Sequence, residues 1–290
     1  MSSYADVFYD STDGLRLYAR DYPADHAGAM TVLCMPGLTR NSRDFAALAD
    51  HLSGTYRVLC AEQRGRGRSA YDPNWQNYHP GTYVNDMWTL LDHLGIERAA
   101  LIGTSLGGLM AMIMAASQRQ RVTGIVLNDV GPELSADGIK RIQAYVGKME
   151  KVHSWDEAVA QVREHNAGVY PDFDDDDWRA FAALLYREDE NGVLVADYDP
   201  NIARPLNQAE AAPVDLWPVF DMLNGLPVLA LRGELSDILS PETFAEMKRR
   251  VPDMEMVTVP RCGHAPAPDH PVARGAIDAF LERLDSPAGG

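Results

Sequence analysis

Three residues able to serve as nucleophile, base and acid occur in loops that each follow an apolar run. Ser105 stands in Gly103-Thr104-Ser105-Leu106-Gly107-Gly108, between the apolar run Ala99-Ala100-Leu101-Ile102 and the apolar helical stretch 105–117. A serine in a sharp strand-to-helix turn needs neighbours without Cβ, which the glycines at 103 and 107 supply, and a helix N-terminus beside it favours developing negative charge. Serine alone is a weak nucleophile, so a base and an orienting acid must follow. Asp237 lies in Arg232-Gly233-Glu234-Leu235-Ser236-Asp237, after the run Val228-Leu229-Ala230-Leu231. His264 lies in Cys262-Gly263-His264-Ala265-Pro266, after the strand-like run 254–259. The order Ser105, Asp237, His264 matches one of the three known triad orders. In this reading His264 takes the serine proton through one ring nitrogen, and Asp237 holds the other N–H and stabilises the imidazolium. Asp129, in Leu127-Asn128-Asp129-Val130-Gly131-Pro132, also follows a strand and is the second candidate acid. Asp237 is preferred, and Asp129 is read as a residue of the loop or of the pocket edge. His270 is assigned to the start of the last helix, His93 to a solvated helix face, and Cys262 to packing.

The elements that must position these residues alternate. Strand patterns fall at 4–9, 15–22, 31–35, 56–61, 99–102, 122–128, 228–231 and 254–259, with Asp13-Gly14 a hairpin turn. Helical spacing falls at 42–52, 82–94, 105–117, 241–250 and 271–284. Buried strands alternating with helices imply an α/β chain whose mostly parallel sheet has helices on both faces. From about 133 to 213 the rhythm changes to helices alone (135–149, 154–166 and 175–187), followed by an irregular Asp-, Asn- and Pro-rich stretch. We therefore expect a core of residues 1–132 and 214–290 and a helical cap, 133–213, inserted over the carboxyl ends of the strands, where ligands bind in such sheets.

Composition narrows the partners. A net charge of −16 opposes nucleic-acid and anionic-membrane binding. No run approaches the roughly 18 apolar residues of a membrane span, and Met1–Asp6 carries neither the basic segment nor the apolar core of a secretion signal. Three cysteines, two of them in apolar runs, read as buried thiols of a cytoplasmic protein rather than a disulfide framework. Asp174-Asp175-Asp176-Asp177 invites a metal reading, but helical spacing follows at once, so it reads as an N-terminal cap. Gly65-Arg66-Gly67-Arg68-Ser69-Ala70 fits a dinucleotide fingerprint only if a helix opens there, and the loop-like Tyr71-Asp72-Pro73-Asn74 follows instead. The arginines at 64, 66 and 68 read as loop-bracing donors. Neither a cofactor nor a metal is expected.

With elbow, triad order and strand order in place, the chain resembles the α/β-hydrolase fold superfamily over nearly its whole length, and specifically its serine hydrolases with a helical cap. Glu62-Gln63-Arg64-Gly65-Arg66-Gly67-Arg68-Ser69 is similar to that family's Asp-x-Arg-Gly-x-Gly-x-Ser loop, with glutamate in place of aspartate. The resemblance implies an eight-stranded sheet and an oxyanion hole made by two backbone N–H groups, that of Leu106 and one from the loop after the third strand. By analogy the second donor is Leu38. Pro36 stands where the family commonly has the histidine that braces this loop, but it need not donate. Of the cap residues, Tyr145, Met149, Trp155, Tyr170, Trp178 and Tyr186 are candidates to line an apolar pocket. The implied substrate is a small or medium carboxylic ester or enol-lactone with an apolar acyl or alcohol part, cleaved through an acyl-enzyme on Ser105. Cleavage of carbon–carbon or amide bonds, perhydrolysis, and a ligand-binding protein without turnover remain the alternatives, and the oligomeric state is not legible.

Overall fold

The computed structural model describes residues 3–207 and 215–286. Its first strands, β1 (Ala5–Asp10) and β2 (Arg16–Tyr22), form an antiparallel hairpin. Gly14 takes φ +82° in the turn, a conformation that favours glycine. Then follow β3 (Thr31–Met35), α1 (Ala46–Leu52), β4 (Arg57–Glu62), α2 (Pro80–His93), β5 (Ala99–Thr104), α3 (Leu106–Ser117) and β6 (Val122–Asn128). Between β6 and the next sheet strand come α4 (Ala136–Tyr145), α5 (Trp155–Asn166), α6 (Asp175–Leu185), the short strands β7 (Tyr186–Glu188) and β8 (Leu194–Ala196), α7 (Ala203–Asn207) and α8 (Trp217–Asp221). The chain returns to the sheet with β9 (Val228–Gly233), α9 (Pro241–Arg250), β10 (Glu255–Val259) and α10 (Pro271–Asp285).

Eight strands make one sheet in the order β1-β2-β4-β3-β5-β6-β9-β10, parallel from β4 through β10 and antiparallel at both pairings of β2. Successive side chains of a strand point to opposite faces, and the central strands split their apolar residues accordingly. Leu33, Met35 and Leu101 enter the core beneath α2, α3 and α9, whereas Val32, Cys34, Ala100 and Ile102 enter the one beneath α1 and α10. Strands covered on both faces have no polar side, which is why β3 and β5 read as continuous apolar runs. Cys34 and Cys60 are partners in register on β3 and β4, both buried as free thiols.

The inserted block has its own small core of Val152, Ala158, Val162, Trp178, Ala182, Leu185, Tyr186 and Leu194. Two expectations change here. The helix expected to run to 149 ends at Tyr145, and the one expected to run to 187 ends at Leu185, because Tyr186–Glu188 pairs with Leu194–Ala196 as a hairpin. That hairpin is closed by local chemistry: Asp189 Oδ1 accepts the Asn191 and Val193 N–H groups, and Gly192 takes φ +75°. The boundary drawn at 213/214 lies outside the described residues. No helix among the described residues is long and apolar enough to cross a membrane.

The acidic run is a helix cap. Asp174 Oδ1 accepts the Asp177 N–H at 2.9 Å, and Asp177 Oδ2 accepts the Asp174 N–H at 3.1 Å, a reciprocal capping box at the start of α6. Replacing Asp174 by Ala removes that arrangement and should cost about 1 kcal/mol of stability, measured by chemical denaturation. The cap assignment also requires that adding Ca²⁺ or Mg²⁺ leave the wild-type Tm where it is.

Candidate active site

Ser105 sits between the last residue of β5 and the first of α3, with φ +52° and ψ −116°. A non-glycine residue held at positive φ stores strain, which persists only where its surroundings over-determine it. The glycines provide that setting. A Cβ on Gly103 would lie 2.2 Å from Gly107 O, and one on Gly107 would lie 2.0 Å from Met35 O. No side chain fits at either place, so strand, helix and the β3 terminus close around the turn. The Ser105 N–H donates to Asn128 O at 3.0 Å, tying the turn to β6.

The loop after β10 brings His264 over this turn. Its Nε2 is 2.9 Å from Ser105 Oγ, and its Nδ1 is 2.7 Å from Asp129 Oδ2. Gly233 and Gly263 let the loop approach: a Cβ on Gly233 would lie 2.5 Å from Cys262 O, and one on Gly263 2.8 Å from a Val169 methyl. Asn128 fixes it further, its Nδ2 donating to Pro266 O at 2.8 Å and to Thr104 Oγ1 at 3.1 Å.

The carboxylate that contacts His264 is Asp129, which corrects the expectation that Asp237 would hold this place. Asp129 directly follows β6, the neighbour of the strand that leads into Ser105, and its side chain is 0% exposed. Its φ of +56° is one that Asp tolerates better than most residues. Oδ1 accepts the Gly233 N–H at 2.8 Å, and Oδ2 accepts the Ser236 hydroxyl at 2.7 Å as well as facing His264. The loop after β9 thus supplies donors to the acid rather than the acid itself. Asp237 lies four residues beyond the end of β9, is 36% exposed, and holds Arg141 of α4 through contacts of 2.5 and 2.9 Å. Partial burial works against its charge, but Arg141 holds the carboxyl below its ordinary range.

The loop after β3 carries Pro36, Gly37 and Leu38. Its carbonyls are held by the segment after β4: buried Gln63 Nε2 donates to Pro36 O at 2.9 Å, and buried Arg66 Nε donates to Leu38 O at 2.8 Å. Arg66 is itself set by Arg64 O at 2.7 Å and Tyr83 Oη at 3.0 Å. Arg64 reaches Asp13, Asp72 and Asp86. Gly67 is required because a Cβ there would lie 2.2 Å from Glu62 Oε2, which accepts the Arg68 N–H. Among the described residues, neither the Leu38 nor the Leu106 N–H donates to a protein acceptor.

Ser105, His264 and Leu38 open onto a cavity of about 390 Å³. Of the cap residues named from sequence, Tyr145, Met149 and Tyr170 line it. Trp155, Trp178 and Tyr186 do not; they pack into the inserted block's own core, which α5 and α6 need in order to hold together. Asp129 stands behind His264 rather than at the cavity edge. Sequence reasoning missed Arg40, His165, Phe173 and Phe181, which also line the wall. Only Arg40 carried a usable signal, its position two residues after Leu38.

Comparison with known proteins agrees with this architecture. The sequence model of the alpha/beta hydrolase fold matches residues 31–271. A crystal structure of an alpha/beta hydrolase from Novosphingobium aromaticivorans is 47% identical, covers 98% of this chain and 99% of its own, and superposes with a TM-score of 0.92. A 3-hydroxybutyrate-oligomer hydrolase of Cupriavidus necator is 36% identical over 88% of this chain and 89% of its own length. A 2-(acetamidomethylene)succinate hydrolase of Mesorhizobium japonicum is 28% identical over 80% and 81%.

The two carboxylates are separable by experiment. Asp129→Asn should lower kcat on a p-nitrophenyl ester by roughly 10³–10⁴-fold, since the amide no longer fixes the imidazole tautomer or stabilises its cation. Asp237→Asn should change kcat less than about tenfold. The reverse ranking would return the acid's role to Asp237.

Proposed function

We propose that this chain, a hydrolase that belongs to the α/β-hydrolase fold family, cleaves small or medium carboxylic esters through an acyl-enzyme on Ser105. The observation that carries the reading is the chain of contacts Ser105 Oγ–His264 Nε2–His264 Nδ1–Asp129 Oδ2, at 2.9 and 2.7 Å, opening onto a largely apolar cavity. Ser105 Oγ attacks the ester carbonyl while its proton passes to His264 Nε2. Asp129 accepts the Nδ1–H and stabilises the imidazolium. The tetrahedral oxyanion is held by the Leu38 and Leu106 N–H groups, each worth up to about 3–4 kcal/mol at the transition state. His264 returns the proton to the departing alcohol oxygen. Water then attacks the acyl-enzyme, giving its proton to His264, and collapse frees the acid and restores the Ser105 hydroxyl.

In this reading residues 133–213 cap a core of 1–132 and 214–290, and Ile142, Tyr145, Met149, Phe173 and Leu184 exclude water from the acyl or alcohol part of the substrate. The protein works in the cytoplasm, consistent with the free, buried thiols of Cys34 and Cys60. The ester class draws support from the relative named as a 3-hydroxybutyrate-oligomer hydrolase, since hydroxy acids joined head to tail are linked by esters.

A fluorophosphonate probe tests the reading. Wild type should be labelled and Ser105→Ala should not, with hydrolysis of p-nitrophenyl butyrate lost in parallel. A folded wild type that takes no label would end the serine mechanism.

A further inference from the structure

One stretch of the cavity wall beside Ser105 is charged. Arg40 follows the turn Gly37-Leu38-Thr39, which closes as the Arg40 N–H donates to Gly37 O at 3.2 Å. Its side chain leaves the turn on the serine side: the position a Gly37 Cβ would take is 3.5 Å from Arg40 Cγ and 3.7 Å from Ser105 Cβ. The guanidinium lies over the Phe181 ring, 4.6 Å from its centroid. Asp44 accepts from Nε at 2.6 Å and from Nη2 at 2.7 Å. A guanidinium carries five N–H donors in a planar fork. Asp44 engages one edge, and among the described residues no other acceptor takes a side-chain N–H of Arg40. Arg40 lines the cavity with only 15% of its side chain exposed.

This free edge is not sealed in the interior, so a ligand entering the cavity can reach its donors. The partner that matches a planar fork is a carboxylate or another two-oxygen anion. Arg43, on the same wall, already meets acceptors through Nη2, which donates to Leu184 O at 3.0 Å and to Asp197 at 2.8 Å, while its Nε is buried without a partner. The remaining acidic side chains of the wall are Asp44, already engaged with Arg40, and Asp269.

We propose that Arg40 receives a carboxylate at the far end of the substrate, so that the site prefers short esters whose other terminus is an anion. This rests on the reading of Ser105 as the nucleophile. The substrate class is then monoesters of short dicarboxylic acids, or short hydroxy acids joined by ester bonds and ending in a free acid. Asp44 sets the orientation of the fork and lowers its net attraction, so that the anion is held without being trapped.

The test compares p-nitrophenyl hydrogen glutarate with its near-isosteric neutral counterpart, p-nitrophenyl pentanoate. Wild type should favour the anionic ester in kcat/KM by tenfold or more. Arg40→Gln should reduce that ratio at least tenfold, Arg40→Lys should retain part of it, and Asp44→Asn, which frees the fork, should hold or raise it. A ratio unchanged by Arg40→Gln overturns the proposal. So does a wild-type preference for the neutral ester, or an equal loss of the ratio in Arg40→Gln and Asp44→Asn, the pattern of a mere wall brace. Calorimetric titration of glutarate into Ser105→Ala, with and without Arg40→Gln, decides the anion site independently of turnover. Glutarate binding lost with Arg40 supports the site even if wild type takes no fluorophosphonate label, and absence of glutarate binding to Ser105→Ala overturns it even if wild type is labelled.

Discussion

Asp129 Oδ1 accepts the Gly233 N–H, while Oδ2 accepts the Ser236 hydroxyl and faces His264 Nδ1. One buried carboxylate thereby ties the end of β6 to the loops after β9 and β10, and the second ring nitrogen of His264 is left aimed at Ser105. A buried carboxylate is tolerated only when its lone pairs are met by donors. The three loop conformations and the burial of Asp129 therefore depend on one another. Removing any donor would leave charge uncompensated in the interior, and removing the charge would release the histidine.

The same logic of mutual support holds the strained turn at Ser105 and the loop after β3. Glycine at 103 and 107 lets backbone meet backbone where a methyl would collide, so the positive φ of Ser105 is enforced by contact on several sides. Proline at 36 costs the loop no acceptor. Gln63 and Arg66 reach two of its carbonyls, those of Pro36 and Leu38, from the segment after β4, and Arg66 is anchored in turn by Arg64 O and Tyr83. Arg64 and Arg66, read from the sequence as loop braces, are spent on carbonyls and carboxylates of the chain itself. The −16 net charge is an overall property and does not describe this wall, where a guanidinium faces the cavity beside Ser105.

Much of this was legible along the chain. The eight strands, the return to the sheet after a helical stretch, the serine turn with its glycines and the histidine loop all follow from periodicity and local turn chemistry. The cap was legible as helices but not as a surface. Trp178 and Tyr186 share helical spacing and size with Tyr145, yet they turn inward to build the block's own core while Tyr145 faces the cavity. A helical repeat says which residues share a face; it does not say what the face meets. The β7–β8 hairpin escaped for a related reason, since three-residue strands carry too little alternation to compete with the helix before them.

The sequence by itself determined that a serine would be presented on a tight turn between a buried strand and a helix, and that a histidine would follow the last strand. Those are local consequences of residue type: glycine where a Cβ cannot fit, and apolar runs where both faces are covered. Which carboxylate orients the histidine was decided only in three dimensions. Asp129 and Asp237 both follow strands and both lie near the same sheet edge, so spacing cannot rank them. The tertiary structure does, because the loop after β9 offers Asp129 a backbone N–H and a serine hydroxyl while α4 offers Asp237 an arginine. An ionised carboxylate goes where its charge is met, and that depends on neighbours more than ninety residues away in the chain.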